Sequence, residues 1–208
     1  MAAFGFRPSR LTNGSPWNGA VVRCSVLSAV GNVFIGDSVI LAGTTVASPV
    51  DGAILNDLAL ATAGGRVYGV ITGICPSGPG TPNLGITYGA TGANREVWVA
   101  VADAATVFET TLDTAATVVG ASIQGNMYDV TATAGSTTTG VSAHVLAVAS
   151  ASATSAGWMI IGVRNDPANL GGLTSGTTSV ASTSASPTIF EVVCTEPQVA
   201  ITQLGAGV

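Results

Sequence analysis

Lysine is absent from this chain, and its six basic residues are all arginine (Arg7, Arg10, Arg23, Arg66, Arg95 and Arg164). Arginine's planar fork suits buried and interfacial pairing, whereas lysine mostly decorates solvated surface. A GC-rich source would leave the same bias, and Ala and Gly are abundant too. Charge of either sign is scarce, at 8% of residues against 47% hydrophobic and a usual charged share of about 25%. A surface so poor in charge points to a protein covered by other subunits. The net charge of −5, with no basic cluster, argues against nucleic acid as a partner.

Other shortages narrow the chemistry. Three widely spaced cysteines, Cys24, Cys75 and Cys194, include no C-x-x-C pair, so they read as buried thiols of a protein made in a reducing cytoplasm. One histidine, His144, leaves little material for a nucleophile–base pair or a metal site, and Gly-x-Ser-x-Gly is missing; it reads as an ordinary strand residue. Neither glycine-rich phosphate-binding motif occurs. Glu96, Glu109 and Glu191 could meet as paired carboxylates, but aromatics are only 5%. Asn165, Asp166 and Asn169 could offer calcium its oxygens, although the loop spacing is wrong and turn-forming Asx side chains explain them. No catalytic, metal or cofactor residue is assigned, and the expectation is a non-enzyme without cofactors.

The mean hydropathy is +0.55, yet Gly, Ser, Thr and Pro interrupt every apolar stretch before the ~18 residues that a spanning helix needs. No membrane partner is expected, and the N-terminus lacks a leader-like apolar run.

Short β-branched segments between turn residues predict an all-β fold. The expected strands are Ala20–Leu27, Val33–Ala42, Arg66–Cys75, Arg95–Ala102, Thr106–Leu112, Ala116–Gln124, Met127–Thr131, Ser142–Ala149, Trp158–Arg164 and Thr188–Thr195. Val97, Val99 and Val101 alternate with Trp98 and small alanines, as in a central strand covered on both faces. Gly125-Asn126 suggests a two-residue hairpin that brings Gln124 near Asp129. Pro76–Pro82 and Gly171–Pro187 read as long loops.

The expected body is a compact β-barrel or β-sandwich, jelly-roll-like, over residues 20–196, with room for two β subdomains. Residues 1–19 read as an extended arm and 197–208 as a tail. The arm's Phe4, Phe6, Arg7, Arg10 and Trp17 are candidate contacts with another surface; the alternative is an arm folded back on its own core.

Ordered blocks along the chain carry a resemblance: Phe4-Gly-Phe-Arg-Pro8, Asn13-Gly-Ser-Pro-Trp-Asn-Gly-Ala20, Val33-Phe-Ile-Gly-Asp-Ser-Val39, Gly69-Val-Ile-Thr-Gly73, Val97-Trp-Val-Ala-Val-Ala-Asp103 with Val107-Phe-Glu109, Ile161–Asn169 and Ile189–Glu196. In this order they resemble the capsid decoration, or cement, proteins of tailed-phage heads, with a departure in the tail from Pro197 onward. The resemblance implies a structural virion protein made in the host cytoplasm. It would bind the major capsid protein on the outer surface of the shell, commonly as a homotrimer, and stabilise the head. On that expectation, deleting residues 1–19 leaves a folded oligomer that no longer binds heads. Two other classes stay open: a head-fibre or tail-associated adhesion module that uses the long loops, and a hydrolase built on converging carboxylates.

Overall fold

The computed structural model describes residues 4–75, 86–92, 95–113, 124–151, 156–164 and 188–198. Twelve strands are described: β1 (Arg7–Leu11), β2 (Val22–Val26), β3 (Ser38–Ala47), β4 (Ile54–Leu60), β5 (Gly69–Ile74), β6 (Arg95–Val101), β7 (Thr106–Thr110), β8 (Met127–Tyr128), β9 (Val130–Thr131), β10 (Val145–Leu146), β11 (Trp158–Val163) and β12 (Phe190–Cys194). The described helical structure is one short 3-10 turn at Val148–Ser150, so the all-β expectation holds.

These strands form two main sheets. One is open and antiparallel, in the order β1-β7-β12-β11-β8. The other is a mixed sheet in which β2 pairs with β6, β6 with β5, β5 with β3 and β3 with β4, all antiparallel, while β4 runs parallel to β2. Its ladder thus returns to its first strand, forming a five-stranded ring. A small two-stranded ladder of β9 and β10 lies beside them.

Alternation along β6 explains how the sheets share the core. Val97 and Val99 point into the ring, where Cys24, Val26, Val39, Leu58 and Ile71 join them. Ala100 and Ala102 belong to a second, larger core together with Val70, Phe108, Trp158, Ile160, Phe190 and Val192 of the ring and open sheet. Within the ring β5 and β6 approach closely at a glycine; a Cβ on Gly69 would lie 2.5 Å from Ala100 O. At the centre, fully buried Trp158 stacks on Phe6 at 4.7 Å and meets the edge of Phe108 at 5.2 Å.

Several sequence expectations need correction. The segment after Val33 is irregular until Ser38, because Gly36 has φ +98° and breaks the ladder. Ser142–Ala149 keeps only β10 as strand, and Met127–Thr131 divides into β8 and β9. Two strands were not anticipated. In β4, Asn56-Asp57 interrupts the apolar pattern; in β1, Pro8 and two arginines hide it. β6 is central as expected, but Trp98 is 40% exposed, so the outer face is uncovered there. The expected strand Ala116–Gln124 apart from Gln124 itself, the loops Pro76–Pro82 and Gly171–Pro187, the Asn165–Asn169 turn and the tail beyond Gln198 lie outside the described residues.

Candidate functional site

A buried polar pair, Asp37 and His144, sits in a backbone crossing that three separate chain segments build. Phe4-Gly5-Phe6 crosses the backbone of Gly36, with Phe6 N–H donating to Gly36 O at 2.9 Å. Gly36 N–H donates to Ile71 O, and Ile71 N–H to Asp37 O, which ties the crossing to β5. From the other side, Gly140 O accepts from Ile35 N–H, and Ser142 N–H donates back to Ile35 O. Only glycine fits at position 5: φ is +73°, and a Cβ would stand 2.5 Å from Gly36 O and 2.6 Å from Ser142 Cβ.

Asp37 and His144 face one another inside this crossing, each 1% exposed. Asp37 Oδ2 accepts Phe34 N–H at 2.8 Å. Its Oδ1 lies 3.5 Å from His144 Nε2 and has no hydrogen-bond partner among the described residues. His144 Nδ1 accepts Ser38 N–H at 3.1 Å, which fixes the neutral tautomer with its proton on Nε2. Burial raises the Asp37 carboxyl to about 6, against hydrogen bonds from Ser142 and Phe34 that pull it down. Burial likewise lowers His144 to about 4. The pair is therefore a carboxylate beside a neutral imidazole at neutral pH.

Ser38 and Ser142 lie close by, but the geometry is not that of an activated nucleophile. A base must accept a hydroxyl proton on one ring nitrogen; here one nitrogen takes a main-chain N–H and the other points its proton at a carboxylate. A cavity of about 430 Å³ adjoins the pair, bounded also by Asn32, Phe34, Thr133 and Thr137. Neither Asp37 nor His144 presents appreciable surface to it.

The candidate contact residues do not form a free arm. Phe6 is 1% exposed in the larger core, and Trp17 packs partly buried against the same core. Arg7 lies over the Phe4 ring at 4.7 Å and pairs with Glu109. Arg10 bonds to both carboxylate oxygens of Glu191, at 3.1 and 2.8 Å, a two-point grip typical of arginine. Residues 7–11 are strand β1, hydrogen-bonded to β7, so the extended-arm reading gives way to an arm folded on its own body. The driving force is burial of Phe6, seconded by these ion pairs.

Of the three glutamates weighed as paired carboxylates, Glu109 and Glu191 are direct cross-strand neighbours, and Glu96 lies apart on the ring, bonded to Ser48. Arg7 and Arg164 both approach Glu109, so cations balance the two acids. All three cysteines are buried and free; burial pushes Cys75 up to about 11 and Cys194 up to about 12, which keeps those thiols protonated. No group of His, Cys, Asp or Glu suited to a metal ion occurs among the described residues.

Sequence reasoning missed the partnership of Asp37 and His144. A lone histidine and a Gly-Asp step far apart in sequence gave no sign of meeting. It also missed Arg95, a buried cation whose guanidinium donates to the carbonyls of Leu27, Val30 and Gly31. Comparison with protein-family models, with curated proteins and with solved structures gives no significant match for this chain.

Proposed function

We propose that this chain is a structural subunit of a tailed-phage virion that binds the outer surface of the head and cements the capsid lattice. The observation that carries the reading is the convergence of the motif blocks. Phe4–Pro8, Val33–Val39 and Gly69–Gly73 are separate in sequence, yet Phe6 bonds Gly36 and Gly36 bonds Ile71. β5 then pairs along β6, the strand of the Val97–Asp103 block. These are main-chain bonds within one packed body, so the blocks that carry the resemblance belong to a single structural unit.

Two further features support a mechanical role. Asp37 Oδ2 and His144 Nδ1 at the crossing are committed to main-chain N–H groups. Large apolar side chains are exposed on the ring, Ile54 at 71% and Trp98 at 40%, in a chain with few charges to keep neighbours apart. Self-association, as the homotrimer that the resemblance implies, belongs to the same proposal. With Phe6 committed to the core, the capsid contacts fall to exposed Arg7 and the half-buried Phe4 beside it.

Cryo-imaging of particles carrying the tagged chain tests the proposal. A regular array of density over the shell is expected, and loss of that array with Arg7→Ala would place the contact. Density confined to a fibre or the tail would overturn the head assignment in favour of an adhesion module.

A further inference from the structure

The hairpin of β3 and β4 leaves one strand edge without a partner among the described residues. Ser48 N–H donates to Ala53 O at 2.8 Å, and Val46 lies opposite Leu55 in the same register. Antiparallel alternation therefore turns the main-chain groups of Val46 toward β4 and those of Thr45 and Ala47 away from it. On that outer side β5 pairs only with Ser38 and Val39, and Leu41 N–H is taken by the Gln198 side chain. Beyond Leu41, no described residue bonds the outward groups of Thr45 or Ala47, and both residues are exposed.

Strand edges of this kind template pairing with another chain, and proteins ordinarily guard them with charge, proline or a bulge within the edge. Here Thr44-Thr45-Val46-Ala47 has β-branched residues and no charge or proline. The bulge at Gly43, with φ +81°, precedes the free stretch rather than interrupting it. Ile54, opposite Ala47, and Val50 at the turn add exposed apolar surface, 71% and 42%.

We infer that the outer edge of β3 at Thr45–Ala47 is a self-association site that pairs antiparallel with the same edge of a second copy of this chain. A two-fold axis at Val46 sets Thr45 opposite Ala47 of the second copy, and Ala47 opposite its Thr45. Each such pair exchanges both main-chain hydrogen bonds. Charge favours a like partner. Residues 24–50 contain one charged side chain, Asp37, and it is buried; the nearest exposed acid, Asp51, is held by the chain's own Arg23 at 2.6 Å. Two copies of net charge −5 can therefore meet here without opposing like charges, whereas the Arg–Glu rows lie on the open sheet. A two-fold contact cannot close the homotrimer of the proposed function, so it is a separate contact that rests on that reading only for its setting, where it would link neighbouring trimers on a lattice.

Amide hydrogen exchange of the full chain, without heads, at low and high protein concentration tests the edge directly. Exchange at Thr45 and Ala47 should slow at least tenfold at high concentration, while Val46, already bonded within the hairpin, stays unchanged. The double variant Thr45→Lys/Ala47→Lys should abolish that concentration dependence with an unaltered melting curve. Equal exchange at Thr45 and Ala47 at both concentrations would overturn the inference, as would protection that persists in the double variant. Because no capsid is present, these outcomes are independent of whether the chain binds heads.

Discussion

His144 Nε2 stands 3.5 Å from Asp37 Oδ1 while His144 Nδ1 accepts the N–H of Ser38, so the ring is held neutral beside a buried carboxylate. Folding shifts the two groups in opposite directions, and their pH dependences offset. Asp37 rises from 3.8 to about 6, so between pH 6 and 4 the folded chain holds a proton that the unfolded chain lacks; acidification there favours the fold. His144 falls from 6.5 to about 4, so over nearly the same window the unfolded chain holds the extra proton and acidification opposes the fold. Each contribution is about 3 kcal/mol.

Single substitutions should uncover the two halves. Asp37→Asn keeps the Phe34 N–H bond and leaves histidine alone to titrate, so its stability relative to the unsubstituted chain should fall by up to about 3 kcal/mol from pH 6.5 to 4. His144→Asn should do the opposite, gaining relative stability as pH drops from 6 to 4. Urea unfolding across this range, as differences from the unsubstituted chain, cancels the other carboxylates. Parallel pH profiles for all three proteins would refute the offset.

At the crossing below this pair, Gly5→Ala puts a methyl group against Gly36 O and Ser142 Cβ, and the residue must also keep φ +73°. Left-handed strain and overpacking together predict a loss of about 2–5 kcal/mol. Gly14→Ala is the control: its φ is also positive, at +89°, but a Cβ there meets nothing within 4 Å, so it should cost only the strain. Thermal melts that rank the two variants equally would show that close approach at Gly5 is unimportant.

Much of the fold was legible in the sequence because strand pattern is local. Val97 and Val99 alternate, Trp158–Arg164 carries β-branched Ile160, Ile161 and Val163 with Gly162 between them, and both became strands within a residue or two. What stayed hidden depends on partners distant in sequence. β1 reads as an irregular arm until β7 supplies its ladder, and Asp37 reads as one polar residue inside an expected strand until His144 arrives from over a hundred residues away. The same holds for Phe6, whose neighbour Trp158 no local pattern could supply.

That stacking of Phe6 on Trp158, at 4.7 Å with a 23° angle between the rings, sets a further expectation. Phe6→Ala should destabilise the chain by about 3–5 kcal/mol, and deletion of residues 1–19 should destabilise it more, since β1 and the Gly36 crossing go with it. Removal of the segment is thus a folding lesion before it is a binding lesion. Near-ultraviolet circular dichroism of Phe6→Ala should lose part of the Trp158 signal. A truncated chain with unchanged melting would return these residues to the status of a free arm.

Arg95 offers the last test, because its charge is countered by dipoles alone in the bonds described. One guanidinium nitrogen donates to Gly31 O at 2.7 Å and the other to Val30 O at 2.9 Å and to Leu27 O, so the link between β2 and the residues before Gly36 wraps around a buried cation. Arg95→Met keeps most of the length and apolar contact but removes every donor. Hydrogen bonds to charged groups contribute about 1.5–3 kcal/mol each, so the loss should be at least about 3 kcal/mol, concentrated in the ring. Arg95→Lys should recover only part of it, since an ammonium cannot span carbonyls that the fork reaches from two nitrogens. With no carboxylate bonded to it among the described residues, the cost should barely change with salt, whereas any contribution of the more exposed Arg10–Glu191 pair should shrink as ionic strength rises. Denaturant unfolding of Arg95→Met and Arg10→Ala at low and high salt checks both statements. A strong salt dependence at Arg95 would mean that an acidic group balances it after all.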